Sequence, residues 1–246
     1  IRDRVRDDDM PWFSAAVKEA DALILATPIY DLIPTGTVVT LLNRVLGIGK
    51  EYQTYCRTHP KIGAAMALGG SDWINLTEPL MDLTVRNLSK GSVIVDKFVV
   101  GHNPAPSMVV LDEAVLERAA LLGRRVGEAL MDREHAGFAG DSGVCPACHC
   151  NLLEPRGGAR VGCPYCDAEG TAVIRDGSLV VEWDADKVRD NRFGPAGDAH
   201  HRADIAASHK KAGENRERIR QRVQELEDFD GVFVQPPKRD PSTTKE

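Results

Sequence analysis

Apolar positions in the first half of the chain fall into short solid runs separated by stretches in which they recur every three or four residues. The first solid run, Leu23-Ile24-Leu25-Ala26, has the length and residue types of a strand buried on both faces, as parallel sheets require. Thr27-Pro28 predicts its end, because proline cannot donate to the next rung of a ladder. Lys61–Gly70 (KIGAAMALGG) predicts a second strand leaving through paired glycines, and Ser92–Val100 (SVIVDKFVV) a third. Between them the spacing predicts helices. Pro11–Ala20 has Phe13, Ala16, Val17 and Ala20 on its inner stripe, and Thr37–Leu46 has Val38, Leu41, Leu42 and Val45. Ile74–Leu88 reads as a helix that Pro79 bends or splits, and Asp112–Met131 as one that Asp112 caps, with Val115, Ala119, Leu122, Val126 and Leu130 inward. Helix and strand in alternation imply an α/β fold with a parallel sheet and right-handed crossovers. In such sheets ligands bind in loops at the carboxyl ends of strands, so Leu23–Arg44 (strand, loop, helix) is the stretch around which the chain is organised.

The pattern changes near Gly137. The linker AGFAGDSG is followed by two β-runs, Thr171–Arg175 and Ser178–Trp183, on either side of Asp176-Gly177, the signature of a two-residue type I′ hairpin. From Asp184 the chain is polar. Gly213–Asp228 predicts a charged helix with Ile219, Val223 and Leu226 on a narrow stripe and Glu214 four residues before Arg218, suited to a subunit contact or to solvent. The charged opening IRDRVRDDDM predicts no element, and Pro236–Glu246 reads as disordered. Three regions follow: 1–136, 137–184 and 185–246.

Charge and composition then narrow the class. With 31 basic and 37 acidic residues among 246, the net charge of −6 argues against a nucleic-acid role. No run approaches the roughly 18 apolar residues of a membrane span, and no signal peptide precedes the first helix. Cysteines arranged mostly as CxxC pairs, without export signals, point to metal rather than disulfides and to a reducing cytoplasm.

Cys145-Pro-Ala-Cys148 and Cys163-Pro-Tyr-Cys166, with fourteen residues between the pairs, carry the most specific chemistry in the sequence. Each pair makes a tight knuckle, and two knuckles close a tetrahedron around zinc. Four thiolates leave no open position for a substrate water, so the metal is structural. His149 and Cys150 adjoin the first knuckle, either could replace a ligand, and Cys150 leaves an iron-sulfur cluster as the alternative. Knuckles followed by a hairpin make a zinc ribbon, too small to fold without metal and used elsewhere for protein docking or nucleic-acid binding. His200, His201 and His209 lie in a polar helix and read as exposed side chains.

The run strand, Thr27-Pro28-Ile29-Tyr30, short loop, Gly36, and a helix ending in Asn43-Arg44 resembles the flavodoxin-like NAD(P)H-dependent FMN reductases and their iron-sulfur flavoprotein relatives. ERAALLGRRVGEAL in the last α/β helix resembles that family's final helix, so the likeness extends from about Pro11 to Met131. The resemblance implies a doubly wound parallel sheet, incomplete at its N-terminus, in which Thr27, Pro28, Ile29 and Tyr30 contact the FMN ring, with Gly36 and Arg44 supporting the loop. It also implies a second flavin-facing turn at Gly69, Gly70 and Ser71, next to Trp73. The sequence departs from the family at Val39, where a lysine is usual, and at Asn43, where an aspartate is usual. The family's first strand and phosphate-binding loop would lie upstream of Ile1.

The expected function is therefore FMN-dependent oxidoreduction, with hydride from NADH or NADPH passing through FMN to an unnamed acceptor, in a homo-oligomer or with a partner redox protein. The alternative is a non-enzymatic interaction protein in which a degenerate flavodoxin fold and a zinc ribbon dock a partner.

Overall fold

A computed structural model of the chain describes residues 9–45, 47–103, 106–141 and 143–227. The expectations for Ile1–Asp8, Leu46, Asp228 and the tail at Pro236–Glu246 lie outside those residues. The chain divides into two units, Ile1–Gly194 and Pro195–Glu246.

In the first unit, α1 (Met10–Glu19) leads into β1 (Ala22–Tyr30), and a two-residue turn returns through β2 (Ile33–Pro34). Next come α2 (Gly36–Val45), α3 (Lys50–Thr58), β3 (Ile62–Leu68), α4 (Thr77–Leu88), β4 (Val93–Val100), a 3-10 turn (Pro106–Leu111) and α5 (Glu113–Met131). The sheet order is β2-β1-β3-β4, with β1, β3 and β4 parallel, which is the α/β architecture the alternating pattern predicts. One face buries Ile29, Ala65, Ala67, Met81, Val85 and Ile94 against α4. The other packs Ile62, Ala64 and Val95 under Leu122, Val126 and Ala129 of α5. Asp112 caps α5 by accepting the Val115 amide at 3.2 Å, which satisfies one of the helix's orphan donors.

Three predicted details change. First, β1 continues through Pro28 to Tyr30 rather than ending at Thr27. A proline is tolerated in a strand where its missing N–H faces an unpaired edge, and among the described residues the outer edge of β1 pairs only at Ile29 and Tyr30. Second, β1 is covered on one face only, since Ile24 is 49% exposed. Third, Pro79 neither bends nor splits a helix: α4 starts at Thr77, so Pro79 occupies the first turn, where the missing N–H costs nothing. The polar helix α3 was not predicted.

The ribbon follows in the same unit. β5 (Glu154–Pro155), β6 (Arg160–Gly162), β7 (Glu169–Arg175) and β8 (Ser178–Trp183) form an antiparallel sheet in that order, and a short helix α6 (Ala185–Arg189) follows. Asp176 and Gly177, at φ 51° and 77°, make the predicted hairpin turn, with Arg175 paired to Ser178. The linker joins the edge of β4, where the Ala139 amide donates to Val95 O at 2.8 Å.

The second unit holds α7 (Pro195–Glu214) and α8 (Arg216–Glu227). His200, His201 and His209 are exposed on α7, and Ile219 and Val223 are each 47% exposed on α8. No described helix is long and apolar enough to cross a membrane.

Candidate functional site

Parallel pairing brings two of the predicted segments together. Pro28 of β1 lies in register with Leu68 of β3, so Thr27–Tyr30 and Gly69–Ser71 stand side by side at the carboxyl end of the sheet, where α/β folds bind ligands. The segments do not contribute alike. Thr27 is buried and turns its hydroxyl onto Pro28 O at 2.9 Å, and Ile29 is a core residue, whereas Tyr30 is 65% exposed. Gly69 is committed to the fold: its amide donates to Val100 O at 2.8 Å and its carbonyl accepts from Asn103 N at 2.9 Å. A Cβ at Gly101 would come within 2.7 Å of Ser71 O, so only glycine lets the β4 exit pass this turn so closely. Gly70, Ser71 and Trp73 are exposed, as Tyr30 is, and Ser71 is anchored from both sides, its carbonyl accepting from the His102 amide at 3.1 Å and its hydroxyl from the Trp73 amide at 3.2 Å. Gly36 begins α2 and Arg44 lies in its last turn. Val39 is half-buried, and Asn43 donates to Val39 O at 2.9 Å, so neither marks a charged position on this helix.

Sequence reasoning missed the turn that carries Tyr30. Asp31 and Leu32 both have positive φ, 48° and 75°, and leucine is a poor occupant of that region, with strain of about 1–3 kcal/mol. The Leu32 carbonyl is held from α4's first turn, by the Leu76 amide at 3.1 Å and the Thr77 hydroxyl at 2.9 Å. Thr77 is fully buried.

The ribbon gathers its own site. The Sγ atoms of Cys145, Cys148, Cys163 and Cys166 all lie within 4.8 Å of one another and are buried. The closest pairs, Cys145 with Cys166 and Cys148 with Cys163, are 3.5 Å apart. Sulfurs about 3.8 Å apart are what a tetrahedral zinc with bonds of about 2.3 Å requires, so an all-thiolate donor set in this arrangement fits that metal. The two knuckles match in detail. The His149 amide donates to Cys145 O at 2.8 Å and the Asp167 amide to Cys163 O at 2.9 Å, with His149 and Asp167 at φ 58° and 67°. Hydrogen bonding among the sulfurs splits their titration. Cys148 brings Cys145 down to about 7, Cys145 draws Cys163 lower still, and Cys148 and Cys166 are pushed up. The two alternative ligands have other partners. The His149 ring stacks on Phe138 at 3.8 Å, and Cys150 Sγ accepts from the Leu152 amide at 3.5 Å. His149 is kept neutral by burial first and then by the positive charges of Lys97 and Arg86.

Between these places lies a buried charge cluster. Lys97 Nζ reaches Glu78 at 2.8 Å, Asp82 at 3.0 Å and the Cys148 carbonyl at 3.1 Å, with 3% of the side chain exposed. Burial opposes its charge, but Asp82 and Glu78 outweigh burial and raise its pKa. Burial raises that of Asp82, against the pull of Lys97 and Arg86. On the opposite face of β4, Asp96 is wholly buried and takes Arg118 in a bidentate pair at 2.6 and 2.7 Å and Arg125 at 3.0 Å. Burial raises its pKa, and the two arginines more than reverse that. The available signal was Asp96-Lys97 inside an otherwise apolar run. Beside Lys97 a cleft of about 490 Å³ opens between α4, β4 and the ribbon, with Asn75, Glu78, Phe98 and Asn151 in its wall.

Comparison with known proteins gives three likenesses. Residues 2–102 match the NADPH-dependent FMN reductase family. A flavone synthase of Aspergillus candidus is 29% identical over 188 residues, which is 69% of this chain and 58% of that protein, so the chain spans little more than half of that curated relative's length. A solved structure of a flavone reductase superimposes with a TM-score of 0.75 at 25% identity, covering 93% of this chain and 84% of that one.

Proposed function

We propose, from a flavodoxin-like domain whose residues 2–102 match the NADPH-dependent FMN reductase family, that the chain is an FMN-dependent oxidoreductase. The observation that carries this reading is the meeting of Thr27–Tyr30 with Gly69–Ser71 at the carboxyl ends of two adjacent parallel strands. FMN, when bound there, supplies two-electron redox chemistry. The chain binds and orients. The exposed residues Tyr30, Gly70, Ser71 and Trp73 would hold the ring. A nicotinamide nucleotide is the hydride source, and the acceptor is a flat conjugated carbonyl compound, a class suggested by the names of the two flavone-acting relatives. Zinc held by Cys145, Cys148, Cys163 and Cys166 is structural, because a complete thiolate set leaves no coordination position for chemistry. Its need for free thiols fits a reducing cytoplasm. The protein works as a homo-oligomer.

One observation favours a second reading, in which the ribbon docks a partner redox protein. Ile174 and Leu179 face each other across the hairpin and are 70% and 63% exposed. Titrating FMN into the purified protein and following flavin fluorescence separates the two readings. The oxidoreductase reading expects saturable quenching at about one FMN per chain. Fluorescence that stays proportional to added FMN would leave the docking reading alone.

A further inference from the structure

We infer that the cysteine-held ribbon braces the proposed flavin edge, with Lys97 as the positioning residue that carries the brace, so that metal occupancy sets the order of the turn presenting Tyr30. The inference rests on the flavin reading only for what that turn faces.

An ammonium has three protons to donate and no solvent inside a protein to receive them, so a buried lysine holds its place only with three acceptors. Lys97 finds them on two separate pieces of chain: Glu78 in the first turn of α4 with Asp82 one turn on, and the Cys148 carbonyl in the first knuckle. Two of the three lie on α4 and the third on the ribbon, so the lysine ties the ribbon to the start of α4. A second tie runs from Asn151 Nδ2 to Glu78 Oε2, at 3.4 Å. The position of the Cys148 carbonyl depends on the knuckle, and a module this small owes its knuckle to bound metal. Glu78 directly follows Thr77, which with Leu76 holds the Leu32 carbonyl. Leucine at φ 75° does not keep that conformation unaided, so the turn's shape depends on the α4 donors. With the metal gone, the Cys148 carbonyl is free to leave, one ammonium proton loses its acceptor, and the first turn of α4 must readjust around Lys97.

Hydrogen exchange read by mass spectrometry on the full chain tests this without reference to flavin. Three samples are compared: zinc-loaded protein, the same protein stripped with a chelator, and zinc-loaded Lys97→Met. Stripping is expected to speed exchange at least tenfold in peptides covering 145–168, and also in 31–35 and 74–80, where the Leu76 amide reports directly on its bond to Leu32. Peptides from 118–130 in α5 should not change. Zinc-loaded Lys97→Met should show the increase at 31–35 and 74–80 while keeping zinc and protection at 145–168, a separation that general destabilisation would not produce. Should Lys97→Met fail to fold, Thr77→Val serves: its 31–35 peptide should exchange fast with zinc present and no longer respond to stripping. Acceleration confined to 145–168, or spread equally into α5, would overturn the inference. A zinc-loaded protein that passes this test and binds no FMN would count against the proposed function and leave the brace standing.

Discussion

Asp96 and Lys97 are consecutive in β4, and strand geometry sends them to opposite faces of the sheet, where each is buried and each is paired. Breaking a buried ion pair by removing one partner strands the other charges, so Asp96→Asn is expected to cost about 3 kcal/mol in urea unfolding at pH 7. The pH dependence has a definite sign. Because Asp96's pKa is lowered in the folded protein, its contribution is present above the unfolded value of about 4 and fades as pH falls through the lower folded value. The gap between wild type and Asp96→Asn should therefore be constant from pH 7 to about 5 and close in more acid solution. Gly101→Ala probes the turn at the proposed flavin edge. The new methyl meets Ser71 O, a backbone atom with little room to give, so about 1–3 kcal/mol of stability is expected to go. FMN affinity should fall with it, read by equilibrium titration. At this scale the cysteines were legible because ligand spacing is a local property of sequence. Lys97 was not, since its three acceptors are 19, 15 and 51 residues away and nothing near it announces them.

Elements were legible where their own residues decide them. The Asp176-Gly177 turn requires positive φ twice and contains the dipeptide that accepts it, and Asp112 stands where an N-cap should. Replacing that cap, Asp112→Ala, is expected to lower thermal stability by about 1 kcal/mol without affecting ligand binding. α3 escaped notice because KEYQTYCRT buries only Tyr52 and Cys56, one turn apart, too few apolar positions to mark a stripe. β1 was read one loop too short because proline argues against a strand only where its nitrogen must face a partner. The single-sided burial of Ile24 was not visible for a related reason. A solid apolar run records what a strand is able to bury, and its neighbours decide what it does bury. The strained Asp31-Leu32 turn carries no glycine or asparagine, so its positive φ values depend on bonds from α4 that only the fold supplies.

At the scale of the whole molecule, the ribbon and the α/β layer share buried contacts within one unit. The cysteine cluster packs against Leu83 of α4, and Arg86 lies 5.2 Å over the Phe193 ring. Cys163→Ser, which removes one thiolate from the only metal-type cluster among the described residues, should abolish stoichiometric zinc and collapse the dispersion of β7 and β8 amide resonances. The parallel sheet, the meeting of Thr27–Tyr30 with Gly69–Ser71 and the clustering of the four cysteines were readable from spacing and resemblance. Their connection through Lys97 and α4 was not, because it depends on three-dimensional pairing. The proposed flavin-dependent oxidoreduction is tested most directly by the visible absorption spectrum of the protein equilibrated with FMN, freed of excess, and titrated anaerobically with NADPH and then NADH. Retained flavin bands that bleach with about one equivalent of nicotinamide nucleotide are the predicted result. Flavin that washes away, or that stays oxidised in the presence of both nucleotides, would contradict it.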